Sequence, residues 1–246
     1  MDDVVKLHYP EPNIAEIILE DRQSRNTFSA ALIKGLMNVF SHLHPETKVV
    51  FIHGYENYFC CGGTQEELLK LSTGEATFAD LAFYRLLLDC EVPTIAAMQG
   101  HAIGGGLAFG CYADSIFMAE EALYSANFMK YGFTPGMGAT YILPKKLGAV
   151  LADEMLFSAK NYHGSELKQR NAQVTILKKE MIIPAALALA KEFAEKPLIS
   201  LKLLKKNQVQ PIKTELSNAI EQELIMHATT FVLPEVVAKI KKLFNE

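Results

Sequence analysis

The chain has 246 residues, half of them apolar, so it is long enough to bury a sizeable hydrophobic core. Its net charge of -4 argues against a nucleic-acid groove, and its longest apolar runs, such as residues 182–190, are too short to cross a membrane. The acidic start Met1-Asp2-Asp3 does not resemble a signal peptide, and we therefore expect a globular cytosolic protein.

Up to about Ser125, β-rich stretches alternate with helical patterns. Short apolar runs predict strands over residues 14–19, 49–53, 94–98 and 115–118. Apolar residues at i, i+3 or i+4 spacing predict helices that lie between these strands, over residues 30–43, 65–71, 78–89 and 105–111.

Beyond Pro135 the pattern is almost entirely helical. Helices are predicted over residues 141–147, 150–158, 183–195, 199–206, 214–229 and 234–244. One strand is predicted in this part, over residues 172–177. Alternating strands and helices followed by a helical tail indicate one α/β body with an appended helical region, rather than two independent domains.

The first chemical signal is a glycine turn within residues 58–67, where a strand passes Gly62 and Gly63 and opens into a helix. Thr64, followed three residues later by Glu67, is a capping-box pattern, which predicts that the helix starts here with its unpaired N–H groups directed back toward Gly63. Such a helix end can hold a negative oxygen. The alternative is a capped turn whose glycines serve only tight geometry.

The second signal is a run of three glycines, Gly104, Gly105 and Gly106, again between a strand and a helix. Consecutive glycines cost backbone entropy and are useful where the main chain approaches something closely or adopts positive φ. That partner is either a ligand or a closely packed helix. Because the two glycine turns resemble each other and lie about 40 residues apart, we expect two backbone N–H donors to converge on one oxygen as an oxyanion hole.

Four stretches carry specific motifs, including SRNTF near the start and YGFTPGMG near the middle of the chain; they cover residues 21–29, 57–67, 92–114 and 124–138. Together they resemble the crotonase (enoyl-CoA hydratase/isomerase) superfamily. The resemblance implies a spiral of ββα units over about residues 1–195 and a C-terminal helical region over about 196–246 that supports a homotrimer, all in one domain. It also implies thioester substrates whose carbonyl lies between the N–H groups of Gly63 and Gly105.

The departures from the family pattern concern acid–base groups. Hydratases of this family carry two glutamates that place and activate water, and the matching positions here hold Ala108 and Phe128. Neither side chain can transfer a proton, so the chain lacks the acid–base groups that hydration requires. Thr64 likewise replaces an acidic residue. Chemistry that needs mainly an enolate-stabilising hole remains possible.

One branch of the family resembles this chain, which lacks the two hydratase glutamates. The similar stretches are residues 57–59, 62–66, 88–91, 127–136 and 221–227. It comprises the decarboxylases of polyketide β-branching, which remove CO2 from a 3-methylglutaconyl group on an acyl carrier protein and leave a 3-methylcrotonyl thioester. The resemblance implies no metal and no cofactor. It also implies a lysine in the segment that follows the first glycine turn, where this chain has Glu75 and Thr77.

His227 is the side chain expected to act as an acid or to bind the leaving carboxylate, on the strength of that resemblance. A lone histidine on an apolar helix face is more often structural. Lys70 and Arg85 are the candidate cations for the same carboxylate, although both also fit solvated helix positions. Phe128 is expected to line the substrate pocket, and Tyr131 either lines it or packs in an aromatic core.

Several reactive or charged residues are interpreted as structural. Cys60 and Cys61 adjoin the first glycine turn, but their apolar surroundings predict buried thiols rather than nucleophiles. The basic cluster Lys202, Lys205 and Lys206 has no interleaved aromatic residues and is interpreted as a solvated helix face.

Two alternative functions stay open. The chain could be a double-bond isomerase of the same fold that moves one proton through His227, or a catalytically silent scaffold that binds an acyl carrier protein. An isomerase would turn over a thioester without releasing CO2, and a scaffold would turn over none.

Overall fold

A computed structural model of the chain describes residues 4–73, 75 and 82–243. Its strands are β1 (Val5–Glu11), β2 (Ile14–Leu19), β3 (Val49–His53), β4 (Tyr58–Cys60), β5 (Thr94–Met98), β6 (His101–Ile103), β7 (Ser115–Ala119), β8 (Leu123–Ser125), β9 (Tyr162–His163) and β10 (Thr175–Leu177). The α/β class predicted from the sequence is confirmed.

The α-helices are α1 (Ala30–Ser41), α2 (Gln65–Thr73), α3 (Leu86–Asp89), α4 (Gly105–Cys111), α5 (Ala139–Leu147), α6 (Ala149–Ser158), α7 (Gly164–Gln169), α8 (Lys179–Ala194), α9 (Leu198–Thr230) and α10 (Pro234–Leu243). In the described part of the chain, 3-10 helices cover Ala82–Arg85 and Asn127–Tyr131. Within the ranges that the structure describes, none of these helices combines the length and apolar character needed to span a bilayer.

The larger sheet has six strands in the order β1-β2-β3-β5-β7-β10, all parallel except the β1–β2 pair. Strands β3 and β5 are buried along their whole length. Their sequences, VVFIH and TIAAM, are almost continuously apolar, as expected for parallel strands that are covered on both faces.

The smaller sheet, ordered β4-β6-β8-β9, positions the two glycine turns. Strands β4 and β6 pair in parallel, with Tyr58 opposite His101 and Cys60 opposite Ala102. The carboxyl ends of parallel strands lie at the same edge of a sheet. The turn after β4 therefore meets the turn after β6, although about 40 residues separate them in the sequence.

The C-terminal region is helical, as predicted, but the prediction of separate helices over 199–206 and 214–229 is wrong. Helix α9 runs for 33 residues and continues through Pro211. Its buried residues recur at intervals of one or two turns and tie the whole helix to the body of the protein; they are Leu201, Lys205, Val209, Leu216, Glu223 and His227. This packing offsets the hydrogen bond that the proline removes.

The interpretation of Lys205 as part of a solvated helix face is also wrong. Its side chain is only 2% exposed, and Nζ lies 2.6 Å from Asp114 Oδ2 and 3.0 Å from the Leu87 carbonyl oxygen. A buried ammonium group needs such partners to offset its lost hydration. Lys202, in contrast, pairs with the exposed Glu91 at 2.7 Å. The cluster is thus split between an internal anchor and a surface pair.

Other differences lie in short elements. Strand β1, strands β4, β6, β8 and β9 of the smaller sheet, and helix α7 were not predicted, because most of them are too short to show a hydrophobic period. The strand predicted over 172–177 is reduced to β10. Residues 78–81 of one predicted helix and residue 244 of another lie outside the described residues. The single-domain boundaries, 1–246, stay a prediction.

Candidate active site

A cavity that is open to solvent at its mouth lies where the two glycine turns meet. Gly63 from the first turn and Gly105 from the second both line it. Most of the remaining wall is apolar and includes Phe28, Leu68, Phe83, Phe128, Phe133 and Met137. An enclosed apolar site with a few convergent polar groups is typical of a ligand pocket.

The N–H groups of Gly63 and Gly105 remain available in this cavity: among the residues that the structure describes, neither donates to a backbone carbonyl. The amide nitrogen of Gly105 lies 3.4 Å from the position that a Cβ on Gly62 would occupy, so the two turns are in contact. Two unpaired N–H groups that line one apolar cavity are suited to stabilise a developing oxyanion.

The backbone conformation before each donor requires glycine. Gly62 and Gly104 have φ angles of +80° and +56°. A Cβ on Gly62 would approach the Ile103 carbonyl oxygen to 2.7 Å, and one on Gly104 would approach Asn127 Oδ1 to 2.5 Å. These residues therefore set the direction in which the following N–H groups point.

The three glycines of this run have different surroundings. A Cβ on Gly106 would lie 2.1 Å from the carbonyl oxygen of Cys60, so Gly106 allows α4 to pack closely against β4. Gly104 and Gly105 instead line the cavity. The predicted helix cap is confirmed, since Thr64 Oγ1 accepts a hydrogen bond from the Glu67 N–H at 3.2 Å.

The positions of the two missing glutamates are apolar and buried. Phe128 lines the cavity and packs edge-on against Phe133, with ring centroids 6.3 Å apart. Ala108 lies within α4 and is fully buried. Glu67 caps the start of α2 through its backbone N–H and also lines the cavity, and its carboxylate is bonded to Lys70 Nζ at 3.2 Å.

Among the described residues that line the cavity, neither of the two candidate cations, Lys70 and Arg85, is present. Lys70 is bonded to Glu66 at 2.8 Å as well as to Glu67, and these carboxylates raise the pKa of its ammonium group. Arg85 pairs with Asp89 at 3.4 Å. Glu75 is exposed, and Thr77 lies outside the described residues. The role of Lys70 and Arg85 in substrate binding stays a prediction.

His227 is buried. The residue is 8% exposed, and Nε2 donates to the carbonyl oxygens of Thr134 and Pro135 at 3.0 and 2.9 Å. Its ring also packs edge-on against Phe231. Desolvation lowers the pKa of His227 below its ordinary value of 6.5, although the two carbonyl contacts oppose that shift. His227 is not part of the cavity wall among the described residues.

The interpretation of the cysteines as unreactive agrees with their environment. Cys61 lines the cavity, but burial raises its pKa to about 11, and burial raises the pKa of Cys60 further still. Neither thiol is a thiolate near neutral pH. Tyr131 lines the cavity and stacks on Phe133 at 5.8 Å, so both roles considered for it apply.

The sequence analysis missed several wall residues that adjoin the oxyanion hole, among them Asn127 and Met137. Asn127 precedes Phe128 and reaches toward Gly104, and Met137 packs against Gly105. Both belong to the stretch over 124–138 that carries the family resemblance. Their contact with the second glycine turn depends on the tertiary fold, so their position in that stretch was the available signal.

A family comparison agrees with this geometry. The chain matches the family model described as enoyl-CoA hydratase/isomerase over residues 10–241, and it therefore belongs to that family. The predicted crotonase resemblance is thus confirmed.

Relatives within the family include decarboxylases. The chain is 47% identical over 244 residues to the bacillaene synthase decarboxylase PksI of Bacillus subtilis (strain 168), with 98% of each chain covered. It superposes with a TM-score of 0.96 and 46% identity on a solved structure from a dehydratase/decarboxylase enzyme couple of polyketide β-branching, covering 99% of this chain and 100% of that one. For the ECH2 decarboxylase domain of CurF from Lyngbya majuscula, the TM-score is 0.92 and the identity 38%, with the same coverage.

Proposed function

We propose that the protein decarboxylates a 3-methylglutaconyl thioester carried on an acyl carrier protein and releases a 3-methylcrotonyl thioester. The observation that carries this proposal is the cavity itself: it combines the N–H groups of Gly63 and Gly105 with apolar side chains, and it has Phe128 where a hydratase has a glutamate. The similarity to decarboxylases of polyketide β-branching supports the same conclusion.

The reaction requires charge to move from one end of the acyl group to the other. The bond to the distal carboxylate breaks, its electrons form a new double bond, and the conjugated double bond shifts toward the thioester carbonyl. The resulting dienolate oxygen is stabilised by the N–H groups of Gly63 and Gly105. An apolar wall disfavours the ionised carboxylate relative to neutral CO2, so it favours the same direction of reaction.

The proton that replaces CO2 at the terminal carbon is assigned to His227 in this proposal. Its Nε2 atom is engaged with the carbonyl oxygens of Thr134 and Pro135. Delivery therefore requires the ring to turn once substrate is bound. Addition of this proton yields a neutral 3-methylcrotonyl thioester and completes the balance of atoms and charge.

The reaction is tested by incubating the protein with 3-methylglutaconyl carrier protein and weighing the acyl group. We expect the loss of one CO2, because the hole stabilises the dienolate while Ala108 and Phe128 cannot activate water. A crotonyl carrier protein is the matched control and should gain no water. Rapid hydration of the control would contradict the proposal, isomerisation without CO2 loss would support the isomerase, and no turnover of either thioester would support the scaffold.

We also propose a homotrimer, and the cytosolic location stays a prediction. Helix α9 exposes apolar residues one turn apart, Ile199 and Leu203, and Leu203 is 61% exposed. Exposed apolar patches of this kind mark protein interfaces.

Light scattering should therefore report three times the chain mass of 27.3 kDa, and Leu203→Asp should lower the measured mass. The control Met37→Asp changes an exposed apolar residue on α1 and should leave the trimer intact. A parent protein that measures as a monomer would contradict this assembly.

A further inference from the structure

The turn that follows Pro135 is held in an unfavourable backbone conformation beside the oxyanion hole. Met137 and Gly138 have φ angles of +61° and +70°, so two consecutive residues lie in the left-handed region. A side chain such as that of methionine adopts this conformation only when its surroundings enforce it. The contacts that enforce it are therefore informative.

The main contact comes from Glu223 on the distant helix α9. Its carboxylate is buried, with 1% of the residue exposed. Oε2 accepts a hydrogen bond from the Gly138 N–H at 2.7 Å, and Oε1 accepts from the Thr140 N–H at 2.9 Å and from Thr140 Oγ1 at 2.6 Å. Glu223 thus satisfies the unpaired N–H groups at the start of α5, which no local side chain caps.

Two further contacts complete the support of the turn. The Tyr112 hydroxyl donates to the Met137 carbonyl oxygen at 2.5 Å. A Cβ on Gly138 would lie 2.2 Å from Leu216 Cδ1 and 2.4 Å from the Tyr112 hydroxyl, so only glycine fits there. The turn is therefore held both by the residue that follows α4 and by α9.

The supported turn reaches the oxyanion hole through Met137. Its sulfur lies 2.7 Å from the position that a Cβ on Gly105 would occupy, and the side chain lines the cavity. His227, one helical turn after Glu223, holds the preceding carbonyls of Thr134 and Pro135. One face of helix α9 therefore contacts both the turn and the segment that precedes it.

We propose that Glu223 is a positioning residue: by holding the Met137–Thr140 turn, it keeps Met137 packed against Gly105 and so fixes the direction of the Gly105 N–H. Glu223 affects the oxyanion hole in this way without contacting the substrate. Its turnover readout rests on the proposed decarboxylation, whereas its effect on the backbone can be measured without any substrate.

The test uses Glu223→Gln, which keeps the shape of the side chain but exchanges one acceptor oxygen for an NH2 donor. Whichever way the amide is oriented, one of the N–H groups of Gly138 and Thr140 then faces a donor. We expect kcat to fall at least about tenfold, because the Gly105 N–H is displaced from its position in the oxyanion hole. KM should change less than about threefold, because the substrate pocket stays open. Deuterium exchange should become faster at residues 105–111 and 136–142.

Lys205→Met is the matched control, because Lys205 anchors the same helix through a buried ion pair with Asp114. It should lower the melting temperature but leave kcat within about twofold of the parent and exchange at residues 105–111 unchanged. A merely structural Glu223 would behave in the same way. Equal effects of the two variants on kcat at equal loss of stability would overturn the proposal.

If Glu223→Gln does not fold, Thr140→Val removes only the hydroxyl donor to Oε1 and serves as the milder variant. It should accelerate exchange at residues 136–142 and lower kcat by a smaller factor, and unchanged exchange and kcat would overturn the proposal. If the parent protein does not decarboxylate the thioester, the proposed function fails. Exchange at residues 105–111 then still decides whether Glu223 controls the hole.

Discussion

Replacing Gly105 by proline should slow decarboxylation by at least about a hundredfold, the usual effect of deleting one oxyanion-hole donor. Proline removes the N–H that lines the cavity. Gly105 is the first residue of α4, a position at which a helix tolerates proline because the N–H has no intrahelical partner. The rate should therefore fall while the circular dichroism spectrum stays that of the parent.

Gly105→Ala is the matched control, because it adds a side chain but keeps the N–H. A Cβ at this position lies 2.7 Å from the sulfur of Met137 and 3.0 Å from Phe28 Cε2, and the flexible methionine can give way. The alanine variant should lose far less activity than the proline variant. Equal losses would mean that crowding against Met137, rather than the missing donor, controls the rate.

The elements that were predicted with the right bounds share a local cause. Strands over 14–19, 49–53 and 94–98 and the helix over 105–111 agree with β2, β3, β5 and α4. In the strands, short apolar runs are bounded by turn residues, and the helix follows a glycine turn. Because these patterns depend on neighbours in the sequence, they can be recognised without the tertiary structure.

Long-range contacts explain the errors. Lys205 is charged and lies in a basic cluster, so its sequence environment indicates solvent exposure. Its partner Asp114 is 91 residues away, and only the packing of α9 against the body brings them together. The same packing keeps the helix continuous through Pro211, where local propensity predicts a break.

The candidate site shows the same division. The two glycine turns were recognised from the sequence because both are local backbone motifs at strand ends, and the family resemblance assigned Gly63 and Gly105 as the donors within them. Glu223 was not singled out, since its partners Gly138 and Thr140 are more than 80 residues away and belong to another helix cap. Backbone chemistry is thus encoded locally, whereas the side chains that support it depend on the fold.

The second large effect is expected for His227→Gln, which should slow decarboxylation by about a hundredfold if the imidazole acts as an acid on the substrate. Glutamine can still donate an N–H to the carbonyl oxygens of Thr134 and Pro135, so the turn should stay in place. His227→Ala removes that donor and should in addition cost about 1–3 kcal/mol of stability. The two variants therefore separate a chemical role from a structural one.

The pH dependence gives an independent measurement on the same residue. Because desolvation lowers the pKa of His227, a step that requires imidazolium should make kcat/KM fall as the pH rises through a value below 6.5, and this fall should be missing in His227→Gln. Stability should change in the opposite direction. As the pH falls below 6.5, the unfolded chain binds a proton that the folded chain resists, so the melting temperature of the parent should drop more steeply than that of the glutamine variant. Full activity of His227→Gln across this pH range would show that His227 supports the turn and takes no part in proton transfer.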